Sequence, residues 1–116
     1  MSAFSGPDID LEPQRVAELI READVQIVDV REPYEHEAGR IAKARHIELE
    51  RLAAQAETID RERPVVFQCR MGARSAMAAQ AFRAAGYEAY NLSGGLSAWV
   101  DAGLPIVPAG GYVADH

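Results

Sequence analysis

Only one cysteine, Cys69, occurs in the 116-residue chain, so no disulfide can close within it and the lone thiol is either a small packed residue or a reactive group. Histidine is almost as scarce. His36, His46 and His116 are scattered without the paired spacing of a ligand set, so no zinc or other metal site is expected. No apolar run approaches the roughly 18 residues that span a bilayer. Residues Met1 to Asp10 lack the basic segment and apolar stretch of an export signal, so the expected location is the cytoplasm, where thiols stay reduced. Positive charge is also in deficit, with 12 basic against 18 acidic residues and a net charge of −6. That field repels phosphate backbones and anionic bilayers, so neither nucleic acid nor a membrane is expected as a partner. There is no internal repeat and no low-complexity segment.

What is present suits a single soluble domain. Hydrophobic residues make up 48% and charged residues 26% of the chain, and a chain of this length buries roughly 65% of its unfolded surface. Pro13 and the spacing of Val16, Leu19, Ile20 and Ala23 predict an amphipathic helix over Glu12 to Asp24. The short branched run Val25 to Val30 reads as a buried strand, followed by a brief helix from Tyr34 to Ala38 with Gly39 as a left-handed stop. Ala44 to Ile47 predicts a strand, and Leu49, Leu52, Ala53 and Ala56 predict a helix ending near Asp60. Val65 to Gln68, opened by Pro64, is the clearest strand. An alanine-rich helix follows from about Arg74 to Ala85, its inner face expected to carry Met77, Ala78, Ala81, Phe82 and Ala85, with Gly86 as its stop. Glu88 to Leu92 gives a last strand, Gly94 and Gly95 a tight turn, and Leu96 to Ala102 a final helix. Strands alternating with helices imply crossover connections, hence an α/β fold with a mostly parallel sheet and helices on both faces. Residues 1–105 form one expected domain and 106–116 a loosely attached tail.

Cys69 closes the Val65–Gln68 strand, and in open parallel sheets ligands bind just beyond such carboxyl ends. The segment Cys69, Arg70, Met71, Gly72, Ala73, Arg74 and Ser75 then runs into a helix start, where backbone N–H groups can converge on one spot at the positive end of the helix dipole. Gly72 permits the positive φ or close approach that such a cradle needs. Arg74 is a cation at a helix start, which opposes the dipole unless an anion compensates. These surroundings favour negative charge on the sulfur, making Cys69 a nucleophile and steadying a persulfide anion between two half-reactions.

On these residues the chain resembles the rhodanese homology family from Asp10 to Pro105. Asp29, Val30, Arg31 and Glu32 are similar to its first signature, Cys69 to Ser75 to its active-site loop, and Leu92, Ser93, Gly94 and Gly95 with Ala98 and Trp99 to its closing signature. The resemblance implies a three-layer fold with a mostly parallel five-stranded sheet. It also implies transfer of sulfur from a small anionic donor such as thiosulfate to a thiophilic acceptor such as cyanide or a thiol, through a persulfide at Cys69 and with no cofactor. Carried over by position, the backbone of Arg70, Met71, Gly72, Ala73, Arg74 and Ser75 would hold the terminal sulfur, with the Arg70 and Arg74 side chains as anion contacts. Asp29 and Arg31 read as a structural ion pair pinning the strand end to Glu35 or to the neighbouring loop. The chain departs from the family at Gly39, Arg40 and Ile41 and at Lys43 and Ala44, where the family often has Gly-His-Ile and then Gly-Ala. Arg40 and Lys43 either add positive potential beside the pocket or are solvated charges.

Other readings share the same loop. A cysteine-dependent phosphatase requires a loop one residue longer to span a tetrahedral phosphate, and no evident acid follows for a leaving alcohol. A persulfide carrier that hands sulfur to a protein acceptor uses the same Cys69, and a non-catalytic redox or partner-binding module needs none of the loop's cysteine, glycine and arginines.

Overall fold

A computed structural model describes residues 8–116; the export-signal reading over the first seven residues lies outside them. Five strands form one sheet: β1 (Asp10–Leu11), β2 (Gln26–Asp29), β3 (Arg45–His46), β4 (Val65–Gln68) and β5 (Ala89–Leu92), in the order β1-β5-β4-β2-β3. All four pairings are parallel, with Asp29 opposite Gln68 and Phe67 opposite Asn91. β1 has no signal in the sequence, because two residues on a sheet edge show no period.

Alternation along the strands feeds two apolar layers, which is why β2, β4 and β5 read as continuous apolar runs. Ile27, Val66 and Leu92 face helices α1 (Pro13–Glu22) and α4 (Gly95–Asp101), meeting Val16, Leu96 and Trp99. Val28, Val65, Phe67 and Ala89 face α3 (Ala73–Ala84), meeting Ala78, Ala79 and Phe82. Helix α2 (Pro33–Ala38) lies between β2 and β3 in the chain.

Four expectations are corrected. The helix predicted over Leu49 to Asp60 is two separate 3₁₀ turns, Leu49–Arg51 and Ala56–Thr58. Side chains take the carbonyls that an α-helical ladder would use: Tyr87 donates to Ala56 O, Thr58 Oγ1 to Gln55 O and Arg45 to Thr58 O, and such competition breaks the i→i−4 pattern. Gly39 is not left-handed, having φ 179°. It is needed instead for space, since a Cβ there would sit 2.5 Å from Tyr112 O. The inner face of α3 is turned from the predicted one: Ser75, Ala78, Ala79 and Phe82 are buried, while Met77 is 64% exposed and Ala81 and Ala85 face outward. The phase is set by Ser75, which must reach Cys69. Finally, the segment after Pro105 is docked rather than loose. Val107 exchanges backbone hydrogen bonds with Arg40 at 2.8 and 2.7 Å, Tyr112 N donates to Ala38 O, and Ala114 is buried.

Candidate active site

β4 ends one residue before Cys69, and α3 begins four residues after it. Gly72 makes this tight passage in the left-handed region, at φ 106°, and a Cβ added there would sit 3.3 Å from Gly94 N. No side chain caps the first turn of α3 with oxygen. The sulfur of Cys69 fills that role, accepting from Gly72 N at 3.1 Å and from Ser75 N at 3.4 Å, the second being the N–H that an N-cap oxygen usually takes. Ser75 Oγ lies 3.3 Å from the same sulfur.

The loop is clamped from behind by α4. Leu96 N donates to Cys69 O at 2.8 Å and Ser97 N to Arg70 O at 3.0 Å. Gly95 makes this possible, because a Cβ there would sit 2.5 Å from both carbonyl oxygens. The turn predicted at Gly94 and Gly95 is therefore part of the site, setting the backbone on which Cys69 stands.

Cys69 is only 1% exposed, yet it lines a cleft of about 220 Å³ together with Arg70, Met71, Ala73, Arg74 and His116. A reactant must therefore reach into the cleft to meet the sulfur. A larger cleft of about 450 Å³ lies at the amino end of β2, away from Cys69. Lys43 lines that cleft, and Arg40 donates to His36 O, so neither cation borders the cysteine cleft.

Both arginines expected as anion contacts border the cleft, and both meet carboxylates. Arg74 makes a two-pronged pair with the fully buried Glu35, at 2.8 and 3.0 Å. This is the anion that a cation at a helix start requires. Arg70 lies 3.1 Å from Asp115 Oδ1. Burial pushes the Glu35 carboxyl up, but the hydrogen bonds from Arg74 and from Glu32 N, with the charge of Arg74, outweigh it and hold the group below the ordinary carboxylate range. The same bond to Glu35 raises Arg74 further.

Asp29 and Arg31 form a buried pair, at 2.9 Å through Nε and 2.7 Å through Nη2. Arg31 then ties the strand end to the neighbouring loop through Gly39 O at 2.7 Å, while Glu35 goes to Arg74 instead. His36 Nδ1 lies 2.7 Å from Asp29 Oδ2. Burial pushes Asp29 up, but the hydrogen bonds from His36 and Arg31 and the arginine's charge hold it low; an ionised carboxylate only accepts, so the His36 proton sits on Nδ1. The His36 and His46 rings stack at 4.6 Å, and His46 Nε2 lies 2.8 Å from Arg31 O. This set supports α2, and through Glu35 it positions Arg74.

Sequence reasoning missed Asn91, Asp115 and His116. Asn91 is buried in β5, donates to Asp10 and accepts from Ser75 Oγ; its signal was a polar residue inside an apolar strand. Asp115 and His116 carried no local signal, because the tail's composition says nothing of where it docks.

A family model described as Rhodanese-like domain matches residues 12–102. An uncharacterized Bacillus subtilis protein, YqhL, is 44% identical over 64% of this chain, which spans only 60% of that protein. A protein of Allochromatium vinosum named sulfurtransferase is 39% identical, over 81% of this chain and 86% of its own. Thiosulfate sulfurtransferase GlpE of Coxiella burnetii is 36% identical, over 71% and 78% respectively. Among solved structures, a rhodanese-related protein from Thermoplasma volcanium superposes with a TM-score of 0.79 at 28% identity, covering 84% of this chain and 96% of that one.

Proposed function

The chain belongs to the rhodanese-like domain family, and from that premise we propose that it is a sulfurtransferase in which Cys69 carries the sulfur. The Cys69 thiolate attacks the outer sulfur of thiosulfate. The donor's S–S bond breaks, and sulfite leaves with the electron pair, so that a persulfide anion remains on Cys69. A thiophile such as cyanide then attacks the terminal sulfur, leaving as thiocyanate and returning the thiolate. Negative charge rests on one sulfur or the other throughout, and the amides of the Arg70–Ser75 loop are oriented before the reaction begins, which is how fixed donors favour a charged intermediate.

The observation that supports this most is the pair of N–H groups, on Gly72 and Ser75, directed at Cys69 Sγ from the first turn of a 12-residue helix. The loop length supports sulfur over phosphate, since four residues separate Cys69 from Arg74, one fewer than a cradle for a tetrahedral phosphate needs. Steady-state kinetics with thiosulfate and cyanide test the reading. Parallel reciprocal plots, as expected when the first product leaves before the second substrate binds, and no thiocyanate above background for Cys69→Ser are the expected results. Turnover by Cys69→Ser at the wild-type rate would overturn it.

A further inference from the structure

Both guanidinium groups that border the Cys69 cleft are engaged by carboxylates. Glu35 is buried and holds Arg74 with both oxygens. Asp115 is of a different kind: its side chain is 97% exposed, its carboxylate meets Arg70 at 3.1 Å, and the next residue, His116, lines the same cleft as Cys69. The segment that carries it is built into the fold. Val107 is bonded both ways to Arg40, Tyr112 N to Ala38 O, Ala114 is buried, and Tyr34 Oη donates to Asp115 O at 3.1 Å. Gly39 has room for nothing larger beneath Tyr112. A carboxylate is thus set against Arg70, a residue that borders the cleft, so a donor approaching Cys69 meets an arginine already paired.

We propose that Asp115 is a specificity-determining residue, which disfavours doubly charged sulfur donors relative to singly charged ones by occupying Arg70 and adding its own negative charge beside it. This inference rests on the sulfur-transfer reading. Its sign follows from electrostatics: the energy of an ion in a fixed potential scales with its charge, so removing one carboxylate helps a dianion about twice as much, on a logarithmic scale, as a monoanion. Repulsion of the unwanted ligand is a common way to set preference.

Thiosulfate and benzenethiosulfonate separate the two charges. Each gives its outer sulfur to the Cys69 thiolate, with sulfite or benzenesulfinate leaving with the electron pair. For Asp115→Asn, the KM for thiosulfate falls about fivefold and that for benzenethiosulfonate about twofold, with kcat for each changed less than about twofold. Asp115→Glu keeps the wild-type ratio, and about 0.5 M salt narrows the difference between Asp115→Asn and wild type. Equal changes for the two donors, or no change in either, would overturn the inference. Wild-type labelling of Cys69 separates this failure from that of the parent reading. If both donors load sulfur but the ratio does not move, only the role of Asp115 falls; if neither donor loads sulfur on Cys69, both fall.

Discussion

Ser75 meets Cys69 twice, and the two contacts differ in kind. Its backbone N–H is fixed by α3, whereas its hydroxyl has a single proton and three acceptors within reach: Asn91 Oδ1 at 2.5 Å, Cys69 Sγ at 3.3 Å and Gly72 O at 3.3 Å. Asn91 is held in this orientation by its Nδ2, which donates to the Asp10 carboxylate. The proton therefore goes to Asn91, and the fixed donors to sulfur are the N–H groups of Gly72 and Ser75. Ser75→Ala should cost about 1–3 kcal/mol of stability by leaving buried Asn91 Oδ1 unmatched, while lowering kcat/KM less than about fivefold. Gly72→Ala forces a side chain onto a positive φ and displaces an amide aimed at sulfur, so kcat/KM should fall about 10- to 100-fold. Urea denaturation and thiosulfate kinetics on the two variants check this, and a greater loss of activity in Ser75→Ala would make the hydroxyl the main donor. Gly72 and the need of Arg74 for an anion were legible in seven consecutive residues. The anion itself was not, because Glu35 lies 39 positions away and the partner of Arg70 lies 45 away.

Helices α2 and α3 are joined by the Glu35–Arg74 pair, and α2 is joined to β2 by Asp29 with His36 and Arg31. Both carboxyls are held below their ordinary value. A depressed carboxyl binds its proton more readily in the unfolded chain, so the stability it contributes is complete above the unfolded value of about 4 and is lost as pH falls from there through the folded value. The urea midpoint should accordingly be flat from about pH 7 to about pH 5 and drop below about pH 4. Glu35→Gln should lower the midpoint at neutral pH and make the acid drop shallower; an unchanged drop would show that the pair does not couple the two helices. The bounds of α1, α3 and α4 were readable from the sequence to within a residue or two, while the inner face of α3, which is alanine-rich, was not. The segment from Leu49 to Thr58 was not, because its apolar spacing suits a helix while the claims on its carbonyls come from Arg45 and Tyr87, outside the window that a period can sample.

At the scale of the whole molecule, apolar strands covered on both faces force a parallel sheet, and a parallel sheet gathers its loops at the carboxyl ends of the strands. That logic places Cys69 at the carboxyl end of β4, where the chain enters α3. It gave no account of the segment from Val107 to His116, whose docking depends on Ala38, Gly39 and Arg40, residues whose sequence shows a turn and nothing of what covers it. The net charge of −6 sets a repulsive background for anionic donors, against which the helix start and its amides must act locally. Whether they do so at one sulfur is answered by the intact mass of the protein after exposure to thiosulfate and removal of the excess. The wild type should gain one sulfur atom, lost again on addition of cyanide, and Cys69→Ser should gain none. Equal gain by both proteins, or none by either, would contradict a persulfide held on Cys69.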